Sequence, residues 1–138
     1  MTERIIALWR AGTAPARDGL YRADDTAVSV DTDGAALSWF ALGPRLVLDE
    51  VLAGPGGVMD IDESARAEVA AGVIVCGDGE LGADGFVARL DSEGNLRWVV
   101  ASVRSNPFER IAVSGTVVEV TNNLGNSISF DLLDPNFS

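Results

Sequence analysis

The sequence contains no histidine and no lysine, and Cys76 is its single cysteine. Without histidine there is no Ser-His-Asp or Cys-His catalytic group and no imidazole zinc ligand. Without lysine there is no Schiff-base chemistry and no P-loop lysine. A lone cysteine excludes an internal disulfide and a thiolate metal centre. Carboxylates, hydroxyls, Tyr21 and arginine remain for chemistry, so we expect a protein that is not an enzyme and carries no cofactor.

Long apolar runs are also missing. The run from Ile5 to Trp9 is too short for a signal-peptide core and follows the acidic Glu3. No run approaches the roughly 20 residues that span a bilayer. Apolar residues make up 47% and charged residues 22% of the 138 residues, which is a globular composition. We expect one cytoplasmic domain over residues 1–138, with Cys76 as a small buried hydrophobic residue.

Negative charge is abundant, and it is concentrated in one segment. The formal net charge is −11, and residues 49–93 hold eleven of the 21 acids against two arginines, Arg66 and Arg89. Such a field repels nucleic acid and anionic membranes, and it attracts a basic protein or a divalent cation. The alternative interpretation is a solvated surface without any partner.

Turn-forming residues divide the chain into short apolar or alternating segments. The breaks fall at 12–19, 43–44, 54–57, 77–85, 106–107 and 122–126. This spacing is typical of many short strands rather than of βαβ units. We expect an all-β domain with at most one short helix, an antiparallel hairpin meander that forms a sandwich or a partly closed barrel.

Two segments repeat one plan, and a third follows its layout. Residues 28–39 and 87–98 both show a strand, an acidic turn with glycine, a second strand and a tryptophan, and 116–132 adds a turn at Gly125. Aspartate or asparagine accepts hydrogen bonds from turn amides, and glycine adopts the positive φ. The pattern predicts that the aromatics Trp39, Trp98 and Phe130 lie on the core face.

Residues 60–71 are the one helix candidate. Asp60, Asp62 and Glu63 stand where acids favour a helix N-terminus, and Gly72 stands where a helix often ends. Apolar residues from Ala65 to Val75 nevertheless alternate as in a strand. We favour strand for residues 66–76.

Calcium binding and carboxylate catalysis are weaker alternatives. The loop 78–85 and the fragment 31–34 hold acids and glycines, but neither matches the ligand spacing of an EF-hand. Paired carboxylates hydrolyse glycosides only where they face each other across a cleft, and no sequence spacing shows that. Turn capping explains these aspartates without a metal, so we predict no metal site.

The C-terminal half resembles a known pattern. The segments 75–79, 82–88, 96–99, 105–108 and 122–125 together read CGxG, DGF, LxW, SNPF and NNxG. In this they resemble a family of small, uncharacterised bacterial all-β proteins, over about residues 68–133. The resemblance implies structural roles for a few residues and no catalytic ones. The residues with predicted structural roles, from the hairpin repeat or from this pattern, are Trp39, Trp98, Asn106, Phe108 and Gly125.

Together these patterns favour a non-catalytic protein-binding module. By size and charge alone the chain is similar to immunity proteins, which neutralise bacterial toxins. The hypothesis is that an acidic surface binds a basic protein. Its predicted residues are Asp60, Asp62, Glu63, Asp78, Glu80 and Asp84. Alternatives are a carboxylate hydrolase or calcium-binding β-protein, and a structural protein that self-associates through an exposed strand.

Overall fold

The computed structural model describes residues 3–138, which form two antiparallel sheets and short helices. The helices are α1 (Arg4–Arg10) and α2 (Leu48–Ala53), and 3-10 turns cover Gly34–Ala36 and Pro135–Phe137. The strands are β1 (Thr13–Pro15), β2 (Gly19–Arg22), β3 (Ala27–Thr32), β4 (Phe40–Leu46), β5 (Val58–Val69), β6 (Gly72–Gly79), β7 (Gly85–Asp91), β8 (Leu96–Ser102), β9 (Phe108–Ser114), β10 (Val117–Asn122) and β11 (Ser127–Asp131).

The larger sheet curls strongly. Its strand order is β1-β5-β6-β7-β8-β2-β3-β4, and the smaller sheet has the order β11-β10-β9. Residues 16–18 alone connect β1 to β2, yet β1 pairs with β5 and β2 pairs with β8. Since so short a connection spans at most about 14 Å, β5 and β8 must curve towards each other. The edge strands β1 and β4 are not paired with each other, so the sheet is not a closed barrel.

Two hydrophobic cores lie on opposite faces of this sheet. On one face Ile74, Val87 and Trp98 pack against Val118 and Phe130 of the smaller sheet. On the other face Val75, Phe86 and Val99 pack beneath the two helices, which contribute Ile5 and Val51. Neighbouring residues of one strand, such as Ile74 and Val75, enter different cores because successive side chains point to opposite faces. The expectation of an all-β, antiparallel sandwich is confirmed.

The helix candidate at 60–71 is wrong. Residues 66–76 are in strands as predicted, but a turn at 70–71 divides them between two strands instead of one. β5 and β6 cover this segment, and they pair from Ile61–Gly79 to Val69–Gly72. The acids at the start of this segment favour a helix N-terminus. Packing of the alternating apolar residues against neighbouring strands favours a sheet, and this second effect dominates here. The helices form instead at Arg4–Arg10 and Leu48–Ala53.

The predicted turn chemistry holds in two of the three hairpins. In the β7–β8 turn the Asp91 carboxylate accepts hydrogen bonds from the amides of Glu93 and Asn95 at 2.9 Å. In the β10–β11 turn the Asn122 side chain does the same, and Gly125 has a φ of 85°. Trp98 and Phe130 are buried as predicted.

The first copy of the repeat departs from the plan. A 3-10 turn replaces the tight turn after β3, and β4 begins only at Phe40. Trp39 therefore lies before the strand and is 50% exposed, so the prediction that it faces the core is wrong. The extra residue after Gly34 changes which side chains point inward, since a shift of one residue exchanges the two faces of a strand.

The loop at Ser105–Phe108 is anchored by its aromatic residue. Phe108 is buried, as predicted, and Ser105 is buried beside it. Asn106 has a φ of 63°, although a following proline usually favours an extended backbone. Asparagine tolerates this left-handed region better than most residues, and its amide donates to the Ala83 carbonyl at 2.9 Å.

Helices in the described part of the chain are too short and too polar to cross a bilayer.

Candidate acidic interaction surface

The β5–β6 hairpin positions most of the predicted acidic residues. Asp60 and Asp62 lie on β5, and Asp78 lies on β6 with Glu80 directly after it. Asp62 is the cross-strand partner of Asp78. The Asp60 amide donates to a Glu80 carboxylate oxygen at 3.2 Å, which places these two residues beside each other as well. We call Asp60, Asp62, Asp78 and Glu80 the acidic quartet.

The acidic quartet shares one face of the hairpin. Residues two apart on a strand point the same way, and directly paired residues do so too. Asp60, Asp62 and Glu80 are exposed, and Asp78 is half-buried. Ion pairs within residues 3–138 join Arg4 to Asp49 and Arg66 to Glu63, so none of them involves the quartet. The result is an uncompensated negative surface at one end of the hairpin.

Glu63 belongs to the same strand but is neutralised locally. Its two carboxylate oxygens accept from Nε and Nη2 of Arg66 at 2.8 and 2.7 Å. These hydrogen bonds lower the pKa of Glu63 and raise that of Arg66. Both side chains are exposed, so the pair adds little to stability, and it removes most of the charge that Glu63 would offer a partner.

Asp84 is not a surface residue, so its prediction as part of the binding surface is wrong. It is 1% exposed. Its carboxylate accepts from the Leu81 amide at 3.1 Å, and its carbonyl accepts from the Gly79 amide at 3.2 Å. The carboxylate also fills the space that a Cβ on Gly79 would occupy, 2.6 Å from the Asp84 Cγ. Asp84 closes the β6–β7 turn from inside.

Buried groups with reactive chemistry are held in their neutral forms. Burial, with the Glu63 charge as a smaller contribution, raises the pKa of the Cys76 thiol to about 12. Burial likewise raises the pKa of Tyr21, whose hydroxyl donates to the Arg17 carbonyl at 2.7 Å. Neither group is poised for nucleophilic or acid–base work near neutral pH. Cys76 is fully buried, which confirms its predicted packing role.

Across residues 3–138, no three histidine, cysteine, aspartate or glutamate side chains come close enough together to hold a metal ion. The two acidic loops singled out in the sequence are used for turns. Asp33 accepts from Ser38, and the loop after β6 is closed by Asp84. These contacts hold the loops in shape without a cation.

Two clusters were missed by sequence reasoning. Asn122 is 1% exposed and joins three loops through hydrogen bonds to Ala35, Ser105 and its own turn. Arg22 and Arg89 flank Trp98 on neighbouring strands. The residues of each cluster are far apart in the chain, so no local pattern links them.

Comparison of the chain with family models, curated proteins and solved structures gave no match.

Proposed function

We propose that this protein is a non-catalytic binding module that engages a basic protein through the acidic quartet. The observation that carries the proposal is the direct cross-strand pairing of Asp62 with Asp78, flanked by Asp60 and Glu80. Like charges directly opposite each other destabilise a sheet. The hairpin would be more stable if one of these two positions held a neutral or basic residue, so the pair is not explained by stability.

The quartet is suited to a protein partner that carries arginine or lysine. Its carboxylates lie on a regular hairpin, so their spacing is held before binding and little ordering is needed. Complementary charge raises the association rate and excludes acidic partners. The same field opposes nucleic acids and anionic membranes, which carry negative phosphates.

Binding is favoured over catalysis by the available side chains. The sequence has no histidine or lysine. The buried Tyr21 and Cys76 have their pKa values raised away from neutral pH. An immunity-type role, in which an acidic protein covers the basic surface of a toxin, is one biological form of this proposal, and it rests on size and charge.

The test compares two variants of equal net charge. The quartet variant carries Asp60→Asn, Asp62→Asn, Asp78→Asn and Glu80→Gln. The control variant carries Asp31→Asn, Glu50→Gln, Glu93→Gln and Glu109→Gln, which are exposed acids outside the hairpin. The probe is a fluorescent arginine-rich peptide, and stopped-flow mixing at low salt gives the association rate.

We expect the quartet variant to associate at least about tenfold more slowly than the wild type, because local charge focuses the encounter. The association rate of the control variant should fall about twofold, because that variant loses the same net charge but keeps the quartet. Equal losses in the two variants would show that binding follows net charge rather than the quartet, and would overturn the proposal. Circular dichroism of both variants checks that they remain folded.

A further inference from the structure

Three arginines lie near Trp98 in the larger sheet, away from the acidic quartet. In the register of the larger sheet, Trp98 on β8 has Arg22 of β2 as its partner on one side and Arg89 of β7 on the other. Arg97 precedes Trp98 at a bulge, because Arg89 pairs with Trp98 and Leu90 already pairs with Leu96. We call Arg22, Arg89 and Arg97 the arginine trio.

Two of these side chains are fixed by backbone carbonyls of the segment 135–138. Nη1 of Arg89 donates to the Phe137 oxygen at 2.7 Å, and the Trp98 indole N–H donates to the same oxygen at 3.0 Å. Nη2 of Arg22 donates to the Asn136 oxygen at 3.3 Å. These bonds orient the guanidinium groups but leave their charge in place, since a carbonyl offers a dipole and no net charge.

A cavity of about 260 Å³ opens to solvent beside the trio. Arg22, Arg97 and the edge of Trp98 line it, together with Asn136. Ala23, Asp24, Pro135 and Ser138 complete the lining. The Asp24 carboxylate already accepts from the hydroxyl and the amide of Thr26, at 2.6 and 3.0 Å, so it is directed at its own turn.

The charge of the trio is partly balanced by two nearby carboxylates. Hydrogen bonds within their own turns lower the pKa values of Asp24 and Asp91, and the charges of Arg22 and Arg97, respectively, add a smaller contribution. None of its members takes part in the ion pairs found within residues 3–138, which involve Arg4 and Arg66. The pKa of Arg89 is lowered, first by burial and second by the charge of Arg97. Guanidinium donors that are not used in these contacts can still bind an oxyanion, and the planar guanidinium fork matches the geometry of phosphate oxygens.

We propose that this cavity, lined by Arg22 and Arg97, binds the phosphate group of a small ligand. The site is separate from the acidic quartet, and it requires no partner protein. A phosphate there would accept hydrogen bonds from Arg97 and from the free donors of Arg22. Arg97 is exposed and its guanidinium has no hydrogen bond within the described residues, so it supplies the most accessible donors.

The probe is inorganic phosphate, titrated into isotopically labelled protein at constant ionic strength. The readout is the indole N–H signals of the three tryptophans in a nitrogen–proton spectrum. Trp98 lies at the cavity, whereas Trp9 and Trp39 lie elsewhere and act as internal controls. We expect the Trp98 signal to move along a saturable curve and the other two to stay in place. Sodium chloride at the same ionic strength should leave all three unchanged.

Arg97→Gln and Arg22→Gln should each weaken phosphate binding about tenfold or more, the loss expected when a charge-assisted hydrogen bond is removed. Arg104→Gln, at an exposed arginine of the β8–β9 loop, should bind as the wild type does. The proposal is overturned if the Trp98 signal does not saturate, if chloride reproduces the shift, or if Arg97→Gln binds normally. Since Arg97 is exposed, its variant tests the site even if Arg22→Gln disturbs the fold.

Discussion

At the scale of single residues, Asn122 organises one end of the molecule. Its amide nitrogen donates to the carbonyls of Ala35 and Ser105, both at 2.8 Å. Its amide oxygen accepts from the backbone of Leu124 and Asn126 at 3.0 and 2.9 Å. One buried side chain therefore satisfies four backbone groups from three loops, which is how the loops stay together without a larger apolar contact.

Replacing Asn122 tests this role. Asn122→Ala leaves the Ser105 carbonyl and the amides of Leu124 and Asn126 without their partner, while the Ala35 carbonyl keeps the Asn126 side chain as a donor. We expect it to lower the free energy of unfolding by about 2–4 kcal/mol. The matched control is Asn123→Ala, an exposed neighbour whose side chain accepts from Asn106. It should cost less than about 1 kcal/mol. Urea titrations of both variants give the values, and equal losses would contradict a special role for Asn122.

Glycine matters at one position of the hairpin that carries the acidic quartet. A Cβ on Gly77 would lie 1.8 Å from the Asp62 carbonyl oxygen and 2.9 Å from the Phe86 ring. No side chain fits there without moving β5 away from β6. The close approach that this glycine permits holds Asp62 and Asp78 opposite each other one pair further along.

At the scale of elements, the β5–β6 hairpin combines a packed half and an acidic half. From Ala65 to Val69, β5 contributes half-buried apolar residues to the core shared with the smaller sheet. A register shift between Glu63 and Ala65 separates this half from the acidic one. A bulge bends the strand locally and changes which face the following side chains occupy. The hairpin is thus anchored at one end and presents charge at the other.

Neutralising one acid of the central pair should stabilise the protein. We expect Asp62→Asn to raise the free energy of unfolding by about 0.2–1 kcal/mol, because a like-charge cross-strand pair is removed. The control is Glu68→Gln, on the same strand but opposite the apolar Val73. It removes the same charge without breaking a repulsive pair, so it should change stability less. Thermal unfolding at low salt measures both, and a destabilised Asp62→Asn would contradict the electrostatic account.

At the scale of the whole molecule, the curled sheet separates two regions of opposite charge. The acidic quartet lies on β5 and β6, and the arginine trio lies on β2, β7 and β8. The strand order places β6 directly beside β7, with β5 beyond it. An overall charge of −11 therefore does not describe how the charges are distributed, since the quartet holds only acids whereas the trio gathers three of the ten arginines.

Salt should stabilise the native protein, and the quartet should account for much of the effect. Sodium chloride at 0.1 M shortens the range of exposed charges to about 10 Å, which weakens the repulsion among the acids. We expect the melting temperature of the wild type to rise with added chloride, and the rise to shrink in the quartet variant. The control variant with four other acids neutralised should keep most of the wild-type response. Identical salt dependence in all three proteins would mean that the quartet is not a distinct source of repulsion.

The chain by itself determined the features that depend on neighbouring residues. Turn residues such as Asp91 and Gly125 predicted hairpins, because capping carboxylates and positive φ act within a few residues. Alternating apolar residues predicted strands over 66–76 against acids that suggested a helix. The numbers of acidic and basic residues placed most of the negative charge in residues 49–93. The apolar run before Cys76 predicted that this cysteine is buried.

Tertiary structure alone decided which charged residues act together. Asp84 and Glu80 look alike in sequence, but one closes a turn from inside and the other lies on the surface. Strand register brought Asp62 opposite Asp78, and it brought Arg22 opposite Trp98 of β8, which lies far away in the chain. Register is the joint outcome of core packing on both faces of the sheet, and no single segment contains that information. For the same reason Trp39 lies half-exposed, although its local pattern matches that of the buried Trp98.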